Sequence, residues 1–301
     1  MRAWFRYAEH IAPRRAGRAA RALWFTAPPR MADMELPSGG AAFQVEAQGH
    51  PVRGFVWGPA AQPATTVYLV HGWGGRGAQF AAMVPPLVEA GHRVVMFDAP
   101  AHGDSDPGPA GPGQTNGVEF AKALDAVFCR FGPAEAVVAH SMGTISTYLA
   151  MRYGWLGAER LVFIAPMVES ESLFDQFQRA LGFGPRVRSA FDRAVDEFVG
   201  VTVREFDARV QAQHVDALPT LVITDRGDRQ TAYADVVDFA ESINAPLVTT
   251  EGLGHRKILR DPAVVERVVD FAKGQEVQQP AGVAPLEGPH RGTFPVRLRV
   301  G

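Results

Sequence analysis

A single cysteine, Cys129, is all the thiol that the 301 residues carry. One cysteine cannot close an intramolecular disulfide or build a cysteine zinc site, so nothing points to an oxidising compartment. Excess charge of either sign is missing too: 30 Lys and Arg stand against 32 Asp and Glu, a formal net charge of −2. That balance gives the whole molecule no strong pull on nucleic acid or anionic lipid. No run reaches the ~18 consecutive apolar residues of a membrane span. The segment from Trp4 to Ile11 is interrupted by Arg6, Glu9 and His10, so it lacks the apolar core of a signal peptide. A cytoplasmic protein is the expectation. What is present is ordinary globular composition, 47% hydrophobic and 21% charged, in a chain long enough for one large α/β domain or two small ones.

Charge is uneven locally. The first 30 residues hold seven arginines (Arg2, Arg6, Arg14, Arg15, Arg18, Arg21, Arg30) against one acid, Glu9, together with Trp4, Phe5, Trp24 and Phe25. A basic amphipathic helix touching membrane lipid is one reading. The favoured reading of residues 1–39 is a helical arm packed on the domain with its arginines facing water. Residues 274–301 are rich in Pro, Gly and Gln without periodicity, which reads as a disordered tail.

Between these ends, short apolar runs alternate with helical patterns. Strands are expected at Phe43–Ala47, Val52–Trp57, Val67–Val70, Val94–Phe97, Ala136–Ala139, Leu161–Ala165, Leu221–Thr224 and Leu247–Thr249. Helices are expected at Gln79–Ala90, Val118–Phe131, Met142–Tyr153, Ala232–Ile243 and Pro262–Ala272. Unbroken apolar strands separated by helices imply a mostly parallel sheet covered on both faces. The first two strands, with no helix between them, are expected to form an antiparallel edge hairpin. From Pro166 to Leu218 no strand is evident, but Phe174, Phe177 and Leu181, then Val187, Phe191, Val195 and Phe198, have helical spacing. This reads as an inserted helical element.

Two stretches carry chemistry. In Val137-Val138-Ala139-His140-Ser141-Met142-Gly143 an apolar strand runs into a serine, and a helix follows. That is the setting of a nucleophile elbow, in which a serine on a tight strand-to-helix turn exposes its hydroxyl above a sheet. The usual Gly-x-Ser-x-Gly has Ala139 at its first position here. The second stretch, His71-Gly72-Trp73-Gly74-Gly75, follows an apolar strand directly. A glycine-rich turn lets backbone N–H groups approach a ligand. As an oxyanion loop it would supply the Trp73 amide, with the Met142 amide as second donor. A phosphate-binding loop is the competing reading, weakened by the absence of both glycine-rich phosphate signatures.

With Asp98-Ala99-Pro100-Ala101-His102-Gly103-Asp104-Ser105 between them, these motifs occur in an order that resembles the α/β-hydrolase superfamily, in its serine-nucleophile bacterial branch of esterase-, lipase- and serine-aminopeptidase-like enzymes. The resemblance covers roughly residues 40–273. It implies an eight-stranded, mostly parallel sheet with helices on both faces and a small helical lid after strand 6, about residues 166–218. It also implies a triad in the order Ser, acid, His. The family acid follows the seventh strand, which selects Asp228 from Asp225-Arg226-Gly227-Asp228, with Asp225 as fallback. A less common variant places it after strand 6, at Glu169. The family histidine follows the eighth strand, at Gly254-His255.

The expected catalytic set is therefore Ser141, Asp228 and His255, with Trp73 and Met142 as oxyanion donors and His71, Gly72, His140 and Gly143 in support. His102 is a possible pocket residue, Asp98 reads as structural, and His214 has no assigned role. No histidine, cysteine or acidic cluster has metal-ligand spacing, and the chemistry requires no cofactor. The implied activity is cleavage of an ester, thioester or amide, with an apolar acyl ester as the leading substrate. An acyltransferase or cofactor-free haloperoxidase-like enzyme on the same triad is the alternative, and a non-catalytic binding protein of this fold a more distant one. The oligomeric state is not legible.

Overall fold

The computed structural model describes residues 1–29, 32, 34–59 and 65–275. From residue 276 onward, the segment read as a tail lies outside the described residues. The chain opens with two helices, α1 (Arg2–Ile11) and α2 (Pro13–Trp24), with Pro13 at the first position of α2, where its missing N–H costs nothing. Then come β1 (Ala41–Ala47), β2 (His50–Trp57) and β3 (Thr66–Val70). A 3-10 helix (Gly77–Met83) leads into α3 (Val84–Glu89), followed by β4 (Arg93–Phe97), α4 (Gly117–Phe131), β5 (Ala134–His140), α5 (Gly143–Arg152) and β6 (Ala158–Ile164). Helices α6 (Glu171–Leu181), α7 (Pro185–Val199) and α8 (Ala208–Ala212) fill the interval before β7 (Thr220–Asp225). Helix α9 (Tyr233–Ser242), β8 (Leu247–Thr250), the one-turn α10 (Gly254–Lys257) and α11 (Pro262–Ala272) complete the described chain.

All eight expected strands are present, in one sheet of order β1-β2-β4-β3-β5-β6-β7-β8. The pairs β1–β2 and β2–β4 are antiparallel and the rest parallel, so the expected edge hairpin is found. The segment expected as one helix at Gln79–Ala90 differs. It is a 3-10 helix that gives way to α3 at Val84, because Pro85 and Pro86 lack the N–H groups that would continue an earlier helix and suit only the first turn of a new one.

Strand side chains alternate between the two faces. Tyr68, Val70, Val137, Ala139 and Phe163 join one core with α4, α5 and α9. Val67, Leu69, Ala136, Val138 and Val162 join the other with α3 and α11. Continuous burial along β3, β4 and β5 follows from this two-sided cover.

The N-terminal arm packs on the inserted helices. Phe5, Ala8, Ala16 and Ala20 are buried in the first core, whereas Arg2, Arg6, Arg14, Arg15 and Arg18 face solvent. Gly17 sits so close to α7 that a Cβ there would lie 2.6 Å from Ala190 Cβ. The sole acid of the first 30 residues, Glu9, is buried and accepts hydrogen bonds from the Arg186 and Val187 amides (2.8 and 3.0 Å). It thereby satisfies two otherwise unpaired donors at the start of α7. Among the described residues, no helix is long and apolar enough to cross a membrane.

Candidate active site

Ser141 stands between β5 and α5 with φ +54°, a left-handed conformation unusual for a residue other than glycine. The surrounding bonds impose it. Ser141 N donates to the Ile164 carbonyl (3.1 Å), and the Ser141 carbonyl accepts from the amides of Thr144 and Met167 (both 3.1 Å). The glycine two residues on is dictated by packing: a Cβ on Gly143 would come within 2.6 Å of the Val70 carbonyl oxygen. Ala139, in place of the usual first glycine, is wholly buried in the core beside β3 and β6.

Gly72 lies directly against this turn. A Cβ on it would meet Ser141 Cβ at 2.7 Å and Met142 N at 3.1 Å. The loop after β3 thus brings the Trp73 backbone beside the start of α5, and Trp73, Ser141 and Met142 line one cavity. Among the described residues, neither the Trp73 nor the Met142 amide donates a hydrogen bond. Two unpaired N–H groups and the positive end of α5 converge next to the serine hydroxyl.

Two buried histidines clamp that loop. His71 donates from Nδ1 to the Gly72 carbonyl (2.8 Å) and accepts the Ala99 amide at Nε2 (2.9 Å). His102 accepts the Gly74 amide at Nε2 (2.9 Å) and donates from Nδ1 to the Pro100 carbonyl (3.1 Å). Burial lowers the pKa of His71 to about 3 and also lowers that of His102, so both are neutral and can accept as well as donate. His102 does not line the cavity, contrary to its expected placement; its short loop turns it under Gly74 instead. Asp98 is structural as expected, accepting the Gly77 and Asp104 amides (2.7 and 2.8 Å).

On the other side of the serine, His255 Nδ1 lies 2.7 Å from Asp228 Oδ2. The Asp228 side chain is fully buried. It also accepts from Thr231 Oγ1 (3.0 Å) and from the amides of Gln230 and Thr231 (2.7 and 3.3 Å). Burial alone would raise its pKa, but these hydrogen bonds, His255 foremost, hold it below the ordinary carboxylate value. Asp228 is therefore ionised beside the ring.

His255 is fixed to the elbow through its neighbour. His140 Nε2 donates to the His255 carbonyl (2.8 Å), and the two rings pack with centroids 4.6 Å apart. Burial lowers the His140 pKa to about 3, so its ring places no charge next to His255. Among the described residues, the Ser141 hydroxyl makes no hydrogen bond.

The other two candidate acids have different partners. Asp225 is buried and accepts from Thr250 Oγ1 (2.8 Å) and the Leu253 and Gly227 amides (2.9 Å each), bracing the loops that carry His255 and Asp228. Glu169 accepts the Ser172 amide at the start of α6. His214 is exposed after α8.

The cavity measures about 430 Å³. Leu173, Phe174 and Val195 from the insertion line it. Phe183 and Phe191 are buried in the core. Trp24 and Phe25, at the end of the arm, also line it. Sequence reading missed these two, for nothing near residue 24 signals a pocket 117 residues before the serine. Thr231 was missed as well, although an acid followed at the third position by a Thr is a local bonding pattern visible in the sequence. Among the described residues, no group of three or more His, Cys, Asp or Glu side chains converges as a metal site.

Comparison with known proteins bears on the fold that carries this site. The alpha/beta hydrolase fold family profile matches residues 65–199, and a TAP-like protein profile matches residues 191–281. A search of curated proteins gives no match. Among solved structures, an esterase of Pyrococcus furiosus superposes with a TM-score of 0.63 at 18% identity, over 83% of this chain and 98% of that one. The thioesterase domain of the curacin biosynthetic pathway gives 0.57 at 17% identity, over 78% and 100%. A bromoperoxidase of Bacillus anthracis gives 0.55 at 19%, also over 78% and 100%. Identities this low speak for the fold alone; with the profile over residues 65–199 and the sheet order, they give the chain the α/β-hydrolase fold.

Proposed function

We propose that the protein is a serine hydrolase that cleaves a carboxylic ester, thioester or amide through an acyl-enzyme. The observation that carries this reading is the ionised, buried Asp228 bonded to His255, whose backbone is tied to the residue preceding Ser141. Esterase and thioesterase names among proteins of similar fold agree with it.

In this reading His255 Nε2 removes the Ser141 proton as Oγ attacks the substrate carbonyl carbon. Asp228 keeps the other ring proton on Nδ1 and stabilises the imidazolium. The carbonyl oxygen, now negative, is held by the Trp73 and Met142 amides; a donor of this kind is worth about 2.7–4 kcal/mol in the transition state. Collapse breaks the bond to the leaving group, which takes the proton from His255. Water then attacks the acyl-enzyme, with the same histidine as base, and the acid leaves. His71, His102 and His140 touch no reacting atom and act by positioning.

The test is labelling by a fluorophosphonate together with turnover of p-nitrophenyl esters. The native chain is expected to label and turn over, and Ser141→Ala to do neither while retaining its melting temperature. A folded native chain that fails to label, or a Ser141→Ala variant that still labels, would overturn the assignment.

A further inference from the structure

The arm does not hang beside the domain. Its last turn enters the space above the serine. Trp24 packs edge-on against Phe174 and Phe177 of α6 (centroids 4.7 and 5.1 Å) and against Phe191 of α7 (6.4 Å). Phe25 packs on Phe198 (4.8 Å), over which Arg21 also lies (4.4 Å).

Beyond α2 the backbone is stitched down. Thr26 bridges Gln114, Ala27 N donates to the Gly113 carbonyl (2.8 Å), and Thr115 N donates to the Phe25 carbonyl (3.3 Å). Pro28 then reaches the loop after β3, where its Cγ would lie 2.8 Å from a Cβ on Gly74. The arm therefore runs from the insertion to the loop carrying the Trp73 amide, and between those attachments it presents Trp24 and Phe25 to the cavity that contains Ser141.

The chemistry of that cavity defines its occupant. Among the described residues, no acidic side chain lines it, and the only charged one, Arg229, is exposed. Trp24, Phe25, Phe174, Val195 and Phe206 form an apolar wall facing the serine. At about 430 Å³ the cavity is at the small end of ligand sites. An unbranched acyl chain fits such a space.

We propose that the N-terminal arm is a wall of an acyl-chain site, and that Trp24 and Phe25 make the protein selective for unbranched, medium-length acyl groups. This deepens the hydrolase reading and rests on it for which bond is cleaved. It does not rest on it for what is bound. Trp24 acts twice: its indole contacts the chain, and its edge contacts hold Phe174 in place on the opposite side of the same wall.

The experiment compares the full chain with Trp24→Ala and Trp24→Phe. The first readout is kcat/KM for p-nitrophenyl acetate and decanoate. The second is binding of decanoate and butanoate, followed by intrinsic fluorescence. For Trp24→Ala the decanoate-to-acetate ratio of kcat/KM is expected to fall at least tenfold, and decanoate affinity to fall tenfold more than butanoate affinity. Trp24→Phe, which keeps an aromatic ring, is expected to recover most of both.

Equal loss for short and long chains, or no loss in either variant, overturns the proposal. If Trp24→Ala does not fold, Trp24→Phe and Phe25→Leu decide it by the same two ratios. The two readings also fail separately. Decanoate binding that depends on Trp24 in a protein hydrolysing no ester keeps the wall and discards the hydrolase. Ester turnover with no chain-length response to Trp24 does the reverse.

Discussion

The lower part of the site and the upper part are held by different forces. Below, the loops bearing Ser141, Trp73, Asp228 and His255 are fixed by directional bonds from buried polar groups: His71 and His102 under the β3 loop, Asp225 between the β7 and β8 loops, His140 beneath His255. Above, the cavity wall is fixed by aromatic contacts among α2, α6 and α7, in which ring edges and faces meet at centroid distances from 4.7 to 6.4 Å. Hydrogen bonds set positions to tenths of an ångström, which a reacting oxygen requires. Apolar packing tolerates exchange of one shape for another of similar volume. In the proposed reading, one region serves chemistry common to every substrate and the other chooses among substrates.

Mutations in the two regions should separate accordingly. The largest effect is expected at Asp228→Asn. It should lower kcat by about 10⁴-fold, equally for short and long acyl esters, because the neutral amide no longer holds the required tautomer. Asp225→Asn is expected to act on stability instead, by about 1–3 kcal/mol as its buried donors lose an acceptor. Denaturant titration beside steady-state kinetics distinguishes the two, and an exchange of their phenotypes would mean that Asp225 is the catalytic acid.

Next is Gly72→Ala. Its added methyl has to push the β3 loop away from Ser141, and kcat should fall about 10²–10³-fold, the scale of losing one oxyanion donor. The loss should again be independent of chain length. In the upper region Phe174→Leu should remove about 1 kcal/mol of chain contact, raising KM for a decanoyl ester roughly fivefold more than for an acetyl ester. A uniform loss there would erase the contrast between the regions.

The last effect is on acid stability. His71 and His140 have folded pKa values lowered to about 3 by burial, below the ~6.5 of an unfolded chain. Between those values the unfolded state binds more protons, so each neutral histidine favours folding above pH 6.5, and that contribution is lost as pH falls towards 3. The melting temperature is expected to decline over this window. His140→Gln, which can still donate to the His255 carbonyl, should flatten the decline, and an unaltered slope would show that His140 is not held neutral.

The same contrast governs what could be read from the sequence. The sheet was legible because buried parallel strands are continuous apolar runs, as in Val67–Val70 and Val137–Ala139. The neighbourhood of Ser141 was legible because backbone geometry there admits few residues: Gly72 and Gly143 each abut another backbone at under 3 Å. Asp228 was favoured over Asp225 by its distance past the seventh strand, and it is Asp228 that bonds His255. Trp24 and Phe25 gave no signal, since their partners lie some 150 residues away and aromatic packing leaves no fixed spacing. The place of His102, which accepts the Gly74 amide, was left open because its local sequence does not reveal that contact.

Glu9 gives the chain an awkward birth. Its partner Val187 lies 178 residues further on, so at about 5–20 residues per second the arm leaves the ribosome roughly ten to thirty-five seconds before α7 exists to receive it. Through that interval Phe5 and Trp24 have nothing to bury them, and the arginines that surround them keep a temporarily orphaned helix pair in solution. The wall of the pocket is begun first and completed late.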